Sequence, residues 1–365
     1  MMYESFIRPL LFLCDPESIH NTTLSVARIT GNDPTLRAIL RRLYVFEDDR
    51  LRTTIAGVEF PNPIGLAGGF DKNGVAVQGL ASAGFGSVEV GSVSAYQSEG
   101  NPIRPRLFRV PQDEAIVVYY GVPNDGSKAV ADRLAPFRLP VPLGINLVET
   151  NTGRPADHDQ VIEELVLAAK PFLKVADYIS LNLNCPNTTA GRSPFDDPEN
   201  LKQLLAGYAG FETMPPTFIK VVPTIDPEKV DRTLEAIDPF PFVKGIVFGL
   251  PTGKPYSGLK TPSAKLKTMP GTLCGRPVRA LVDDSIRAWY PRMDPSRHAI
   301  VGVGGIFNAE DAYTKIRLGA SLVQLYTGLI YHGPSLVKQI NKGLCRLMER
   351  DGLSHISEAV GLKAR

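Results

Sequence analysis

The most restrictive feature of this chain is a rhythm. From residue 55 onward, short runs rich in β-branched residues alternate with longer stretches of helical periodicity, and past the opening stretch no two runs are joined by a two-residue hairpin turn. Strands that do not meet through hairpins return through crossovers, so neighbours run parallel and helices carry the connections. Eight runs qualify as strands: Ile64–Gly68, Ser87–Val93, Leu143–Leu147, Tyr178–Asn184, Thr217–Val222, Gly245–Gly249, Ala299–Gly304 and Leu322–Tyr326. Helical patterns lie between them, clearest at 158–174 and 308–319. Eight βα units over about 300 residues favour an α/β fold of the (β/α)8 TIM barrel type over an open doubly wound sheet. No G-x-G-x-x-G follows the first strand, so the usual dinucleotide fingerprint is missing.

A length of 365 residues leaves room for one large domain and an appendage, and 43% hydrophobic with 21% charged residues is the composition of a globular core. A net charge of +2 lacks the excess that a sequence-independent nucleic-acid binder uses against phosphates, so no nucleic-acid partner is expected. Cys14, Cys185, Cys274 and Cys345 lie far apart with no C-x-x-C pair. They suggest neither a metal site nor an iron–sulfur framework, and they fit a reducing cytoplasmic compartment. The N-terminal apolar stretch Phe6 to Cys14 is short and interrupted by Arg8 and Pro9, so it reads as neither a membrane span nor a signal peptide.

Residues 1–46 form a small helical module in this reading, followed by the barrel over 47–365. Tyr3, Phe6, Ile7, Leu10, Leu11 and Cys14 share one helical face, with Pro9 placed to kink it. Asp15-Pro16 and Asp33-Pro34 each read as an N-cap followed by proline at the first helical position, the second before Leu36, Ile39, Leu40 and Leu43. Two uses suit the apolar face: packing on the barrel, or contact with a lipid surface or lipophilic partner such as a quinone.

Chemistry-bearing residues fall where strands end, the face on which barrels build active sites. Long interruptions at 94–118 and 251–277 lie on that face too. Gly302-Val303-Gly304-Gly305 and Tyr326-Thr327-Gly328 end the last two strands, and such loops either cradle a phosphate with backbone N–H groups or make tight turns. Lys220 ends the fifth strand among apolar residues. Three roles fit it: a Schiff-base lysine, a structural ion pair, or a positive charge held against an anionic cofactor. Asn182-Leu183-Asn184-Cys185-Pro186-Asn187-Thr188 ends the fourth strand and gathers three amides and a thiol. Amides suit a polar heterocycle. The thiol is either a general base or, as lone cysteines commonly are, a small buried hydrophobe.

Longer motifs then carry a resemblance. Asn62-Pro63-Ile64-Gly65-Leu66-Ala67-Gly68-Gly69-Phe70-Asp71-Lys72-Asn73-Gly74, Gly84 to Gly91, Arg104 to Arg109, the Asn182 to Thr188 loop and Gly319 to Tyr326 resemble the dihydroorotate dehydrogenases from end to end. Asp15-Pro16-Glu17 and His20 are similar to the extension of the membrane-associated, quinone-using class 2 branch. The resemblance implies an FMN-containing barrel that removes hydrogen across a ring C–C bond, a loop base taking the proton and flavin N5 the hydride. It assigns FMN to Ala67, Gly68, Ser92, Asn146, Asn182, Lys220, Gly275, Gly304, Gly305, Tyr326 and Thr327, with Lys220 beside N1. It assigns the substrate to Lys72, Asn182, Asn187 and Thr188, with Lys72 on a carboxylate and Cys185 as the base. A cytoplasmic protein lying peripherally on the inner face of the membrane follows from the same likeness.

The departures are as informative. Class 2 enzymes usually carry serine where this chain has Cys185, the choice of the soluble class 1 branch. The family's Asn-Arg-Met-Gly-Phe-Asn-Asn stretch stands here as Val118-Tyr119-Tyr120-Gly121-Val122-Pro123-Asn124, and its Thr-Asn-Thr as Gly249-Leu250-Pro251. Glu149 and Thr150 replace the family's Gly and Lys. Exchanging two amides for Val118 and Leu250 removes hydrogen bonds worth about 1–3 kcal/mol each to a pyrimidine edge, unless Asn124 or Thr252 takes them over. The expectation is therefore an FMN-dependent dehydrogenase acting on an anionic substrate altered from dihydroorotate. The alternative is a genuine dihydroorotate dehydrogenase delivering electrons to quinone. A remoter alternative is a phosphate-binding lyase or ligand-binding barrel without flavin, distinguished by a colourless preparation.

Overall fold

All eight expected runs form strands, and together they close into a barrel. The computed structural model describes residues 2–154, 157–187, 194–254 and 257–364. In chain order its strands are β1 (Thr53–Ile55), β2 (Val58–Phe60), β3 (Ile64–Leu66), β4 (Ser87–Val93), β5 (Leu107–Val110), β6 (Ala115–Val118), β7 (Leu143–Leu147), β8 (Tyr178–Asn182), β9 (Thr217–Val221), β10 (Val243–Phe248), β11 (Thr272–Gly275), β12 (Ala299–Val303) and β13 (Ala320–Leu325). The barrel runs β3-β4-β7-β8-β9-β10-β12-β13, every pair parallel, and closes where Val323 of β13 pairs with Ile64 of β3. Both faces of these strands are covered, which explains why their sequences are near-continuous apolar runs rather than alternating ones.

Strand limits differ from the expected ones by a residue or two for local reasons. β10 begins at Val243 and its register with β9 shifts between Val243 and Gly245. β3 stops at Leu66 because the chain turns into the barrel mouth, with Gly69 at φ +105°. Helices between strands start on acidic caps: Asp197 and Asp226, each followed by proline, accept from the backbone N–H of Glu199 and Glu228. Asp15 and Asp33 do the same for Ser18 and Leu36, as the Asp-Pro pairs predict.

Two features flank the barrel. The β1–β2 hairpin closes its lower end, where Phe60 packs on Tyr178 and Tyr178 on Phe218 at ring distances of 6.2 and 5.8 Å. At the upper end, β5, β6 and β11 form an antiparallel sheet out of the two long interruptions. Its strands carry no short hairpin signal. The turn from β5 to β6 is made by Pro111–Asp113 and by Glu114 at φ +45°, without glycine, and β11 arrives from far along the chain.

The N-terminal module comprises a π turn at Tyr3–Ile7, then α1 (Arg8–Phe12), α2 (Pro16–Asn32) and α3 (Pro34–Tyr44). The single apolar face expected from Tyr3 to Cys14 is divided in the structure. Tyr3 donates to the Ile330 carbonyl and Phe12 packs edge-on against Tyr331, while Phe6, Leu10 and Leu13 stay 70, 67 and 85% exposed. The π turn is the cause: the Arg8 N–H donates to the Tyr3 carbonyl, five residues back, which shifts the phase of the helical stripe. α2 lies close on α4 (Val77–Ala81), where a Cβ on Gly79 would fall 2.0 Å from the Ala27 carbonyl oxygen. Glu17 fastens the module to the barrel through a buried ion pair with Arg106 and a second pair, at 2.9 Å, with the exposed Arg104.

Removing Glu17 leaves the Arg106 guanidinium buried without its counter-charge. Glu17→Ala is expected to lower stability in urea by about 3 kcal/mol, the cost of breaking a buried pair. A loss below about 1 kcal/mol, typical of an exposed pair, would show that the pair does not anchor the module.

Candidate active site

Parallel closure places the C-terminal ends of all eight barrel strands on one rim, and a cavity opens there with an empty volume of about 1150 Å3, its mouth included. That is the scale of a small-molecule site. The residues after β3 supply Ala67, Gly68 and Lys72, and β4 supplies Ser92. The loop after β8 brings Asn182, Cys185 and Asn187, β9 brings Lys220, and the segment after β10 brings Leu250. Gly304, Gly305, Tyr326 and Thr327 follow the last two strands, and the upper sheet adds Val118 and Gly275. Asn146 stands just behind this wall, bonded to Ser92. Thr188 lies outside the described residues.

The glycine positions admit no side chain. A Cβ at Gly68 would meet Glu89 Oε1 at 2.6 Å, and one at Gly305 would meet the Arg279 Cβ at 2.5 Å. Gly304 and Gly305 have φ of +107° and +71°, the turn conformation that aims successive backbone N–H groups at an anion. Lys220 is half-buried and makes no ion pair among the described residues, so the structural-pair role finds no partner. Cys185 and Cys274 both border the cavity. Burial pushes the Cys274 thiol up to about 12, which makes it a poor base, whereas Cys185 sits half-buried on its loop.

Lys72 is a strongly perturbed cation of the cavity. Its ammonium donates to the Gly69 carbonyl at 2.8 Å and lies 4.1 Å from the centre of the Tyr120 ring. Burial, reinforced by the nearby Arg106, brings it down to about 8. His20 of α2 reaches the same rim, its ring 5.2 Å from Phe70 and 6.5 Å from Tyr326. Burial, followed by the charge of Lys72, lowers His20 to about 3, so its imidazole is neutral at ordinary pH.

Below the cavity runs a chain of side-chain hydrogen bonds. Asn182 Nδ2 donates to Ser92 Oγ at 3.1 Å, Ser92 donates to Asn146 Oδ1, and Asn146 Nδ2 donates to Glu89 Oε1 at 2.8 Å. The other Glu89 oxygen accepts from Gln324 at 2.8 Å, Ser180 at 3.0 Å and Tyr178 at 3.4 Å. Four donors from three strands, β7, β8 and β13, thus satisfy a carboxylate with no solvent exposure.

Val118 and Leu250 both face the cavity, so the exchanged positions are where the alignment of motifs puts them. Neither proposed substitute compensates. Asn124 is buried with its amide spent on Ser94, Val122 and Gly126, and Thr252 is exposed outside the cavity lining. Three polar atoms of the cavity lining are buried without partners among the described residues: Asn187 Oδ1, the Tyr120 hydroxyl and Gln324 Oε1. Sequence reasoning did not place Glu89, Gln324, Tyr120 or His20 in the site. A signal for Glu89 existed, since it is a lone carboxylate in the middle of an otherwise apolar strand run.

A family model described as dihydroorotate dehydrogenase matches residues 50–348. Among curated relatives, the dihydroorotate dehydrogenase (quinone) of Roseiflexus sp. (strain RS-1) is 36% identical over 98% of both chains. Its namesake from Deinococcus deserti is 35% identical over the whole of both. Solved structures of the dihydroorotate dehydrogenase of Eimeria tenella are similar throughout. The complex with ferulenol has a TM-score of 0.84 at 26% identity over 96% of each chain, and the ligand-free form 0.83 at 27% over 96% of this chain and 100% of that one.

The lysine environment makes a ligand-free prediction. With the Lys72 side chain labelled at Cε and identified by its loss in Lys72→Met, NMR titration is expected to show a midpoint near 8. A midpoint at the ordinary lysine value of about 10.4 would show that the ammonium is solvated rather than buried.

Proposed function

The chain belongs to the dihydroorotate dehydrogenase family, whose members are oxidoreductases acting on a CH–CH bond, and from that premise we propose that it oxidises dihydroorotate to orotate with FMN as cofactor and a quinone as electron acceptor. The observation that carries the reading is the gathering, in one rim cavity, of the glycine turns, Lys220, Lys72 and the Cys185 loop. The names of relatives that match over 98% or more of this chain favour dihydroorotate over the altered substrate that the sequence departures suggest.

The residues fit FMN. Gly304 and Gly305, where a side chain has no room or would require a strained backbone, make a cradle for its phosphate, joined by Gly275, Tyr326 and Thr327. Ala67, Gly68, Ser92, Asn146, Asn182 and Lys220 would hold the ring, with Lys220 supplying positive charge. Held there, FMN would supply the two-electron acceptor chemistry that links a hydride donor to a quinone.

The chain's own groups do the rest. Lys72, protonated below about 8, holds the substrate carboxylate. Asn182 and Asn187 hold the ring amides, and Thr188 is assigned there by its motif alone. Cys185 takes a proton from one substrate carbon, the electron pair left behind forms the C=C bond, and the hydrogen on the neighbouring carbon departs as hydride. Residues 1–46 form the module that admits quinone, and barrel residues 47–365 carry the chemistry. In support, Phe6, Leu10, Leu13, Val26 and Ile29 are exposed and His20 touches the cavity rim. No helix among the described residues is long and apolar enough to cross a membrane. The proposed location, peripheral attachment on the inner face of the membrane, rests on those exposed apolar side chains.

The test is steady-state formation of orotate from dihydroorotate with a soluble quinone. Cys185→Ala is expected to slow it by at least about a hundredfold, the lower range for losing a general base. An unchanged rate would remove Cys185 from the mechanism, and no orotate from the wild type would refute the assignment.

Val118 and Leu250 favour a second reading, a carboxylated ring substrate whose far edge is less polar. Under it, Val118→Asn with Leu250→Asn lowers the KM for dihydroorotate by about tenfold or more, the value of one regained hydrogen bond. Under the primary reading, the double variant leaves KM unchanged or raises it.

A further inference from the structure

We infer that Glu89 is a positioning residue: through Asn146 and Ser92 it fixes the amide of Asn182 with Oδ1 toward the cavity, so that the enzyme selects a ligand presenting an N–H at that point. Glu89 is fully buried, and its carboxylate oxygens face Asn146, Gln324, Ser180 and Tyr178. The inference deepens the proposed function, and only the identity of the ligand rests on that reading.

Each link of the chain has one arrangement. A carboxylate only accepts, so Asn146 must turn Nδ2 toward Glu89 and therefore Oδ1 toward Ser92. Ser92 has a single hydroxyl proton, and it goes to that oxygen. Only lone pairs remain for Asn182, which must offer Nδ2 to Ser92. The Asn182 carbonyl oxygen is then left on the opposite side of its amide, the side open to the cavity that Asn182 borders. Gly68 makes the arrangement compact, because any side chain there would strike Glu89 Oε1 and the Asn146 side chain.

Replacing the carboxylate by an amide removes the constraint. A glutamine at 89 can donate to Asn146 Oδ1, after which Asn146, Ser92 and Asn182 can all reverse and Asn182 can present N–H groups instead. The same release follows from Asn146→Leu. That substitution leaves the other three Glu89 donors in place and lets the Ser92 hydroxyl turn toward Asn182.

The experiment uses the FMN-loaded full chain as wild type, Glu89→Gln and Asn146→Leu. The first readout is hydrogen exchange of the Asn182 side-chain amide by 15N NMR, assigned by its loss in Asn182→Ala. The second is the affinity for orotate against orotate methylated on its ring nitrogens. Wild type is expected to protect the Asn182 amide and to prefer orotate by about tenfold or more over at least one methylated form, the weight of one buried hydrogen bond. In both variants, compared with wild type at equal FMN occupancy, the protection is lost and the preference falls to about threefold or less. Intact Asn182 protection in the variants, with affinity for all ligands lowered equally, would overturn the inference by reducing Glu89 to general support. If Glu89→Gln does not fold, Asn146→Leu decides alone. If wild type binds no orotate, the dihydroorotate reading fails, and the exchange measurement still decides the role of Glu89.

Discussion

A carboxylate sealed inside a barrel has to be satisfied by the strands around it, and Glu89 is such a group. Its partners come from β7, β8 and β13, so one residue of β4 ties together strands on both sides of the ring. Desolvating an unpaired carboxylate is far costlier than losing any single contact, which makes this cluster a strong constraint on barrel register. A slip of one residue in any of these strands would turn the partner side chain to the other face and leave the charge unmatched.

The cavity is built on top of that layer. Its floor is the backbone at Gly68 and the amide chain above Glu89, and its far wall is the upper antiparallel sheet carrying Val118 and Gly275. The N-terminal module supplies part of the roof by a separate interaction, the Glu17 to Arg106 pair, which brings His20 beside Phe70 and Tyr326. The barrel positions Lys72, Lys220 and the Cys185 loop, and the module reaches Lys72 through the Glu17–Arg106 pair.

Much of this arrangement was legible in the sequence because parallel strands leave a local signal. The eight apolar runs, the Asp15-Pro16 and Asp33-Pro34 caps and the glycine turns each depend on neighbouring residues, and they stand within a residue or two of where they were expected. What escaped depends on partners distant in the chain. β11 pairs with β6 although half of the barrel's strands lie between them in the chain, and nothing within Thr272–Gly275 announces that partner. The division of the N-terminal stripe follows from a π turn at Tyr3–Ile7 that a regular helical period does not describe. Tyr120 and His20 meet at the rim only because separate elements converge there.

The central claim is that this rim cavity passes electrons from dihydroorotate to FMN. Anaerobic stopped-flow mixing of the FMN-loaded protein with dihydroorotate, following flavin absorbance, tests it most directly. Rapid loss of the oxidised flavin band on the timescale of turnover is the expected result. An oxidised band that persists with dihydroorotate, yet disappears with dithionite, would contradict it and turn attention to the less polar edge formed by Val118 and Leu250.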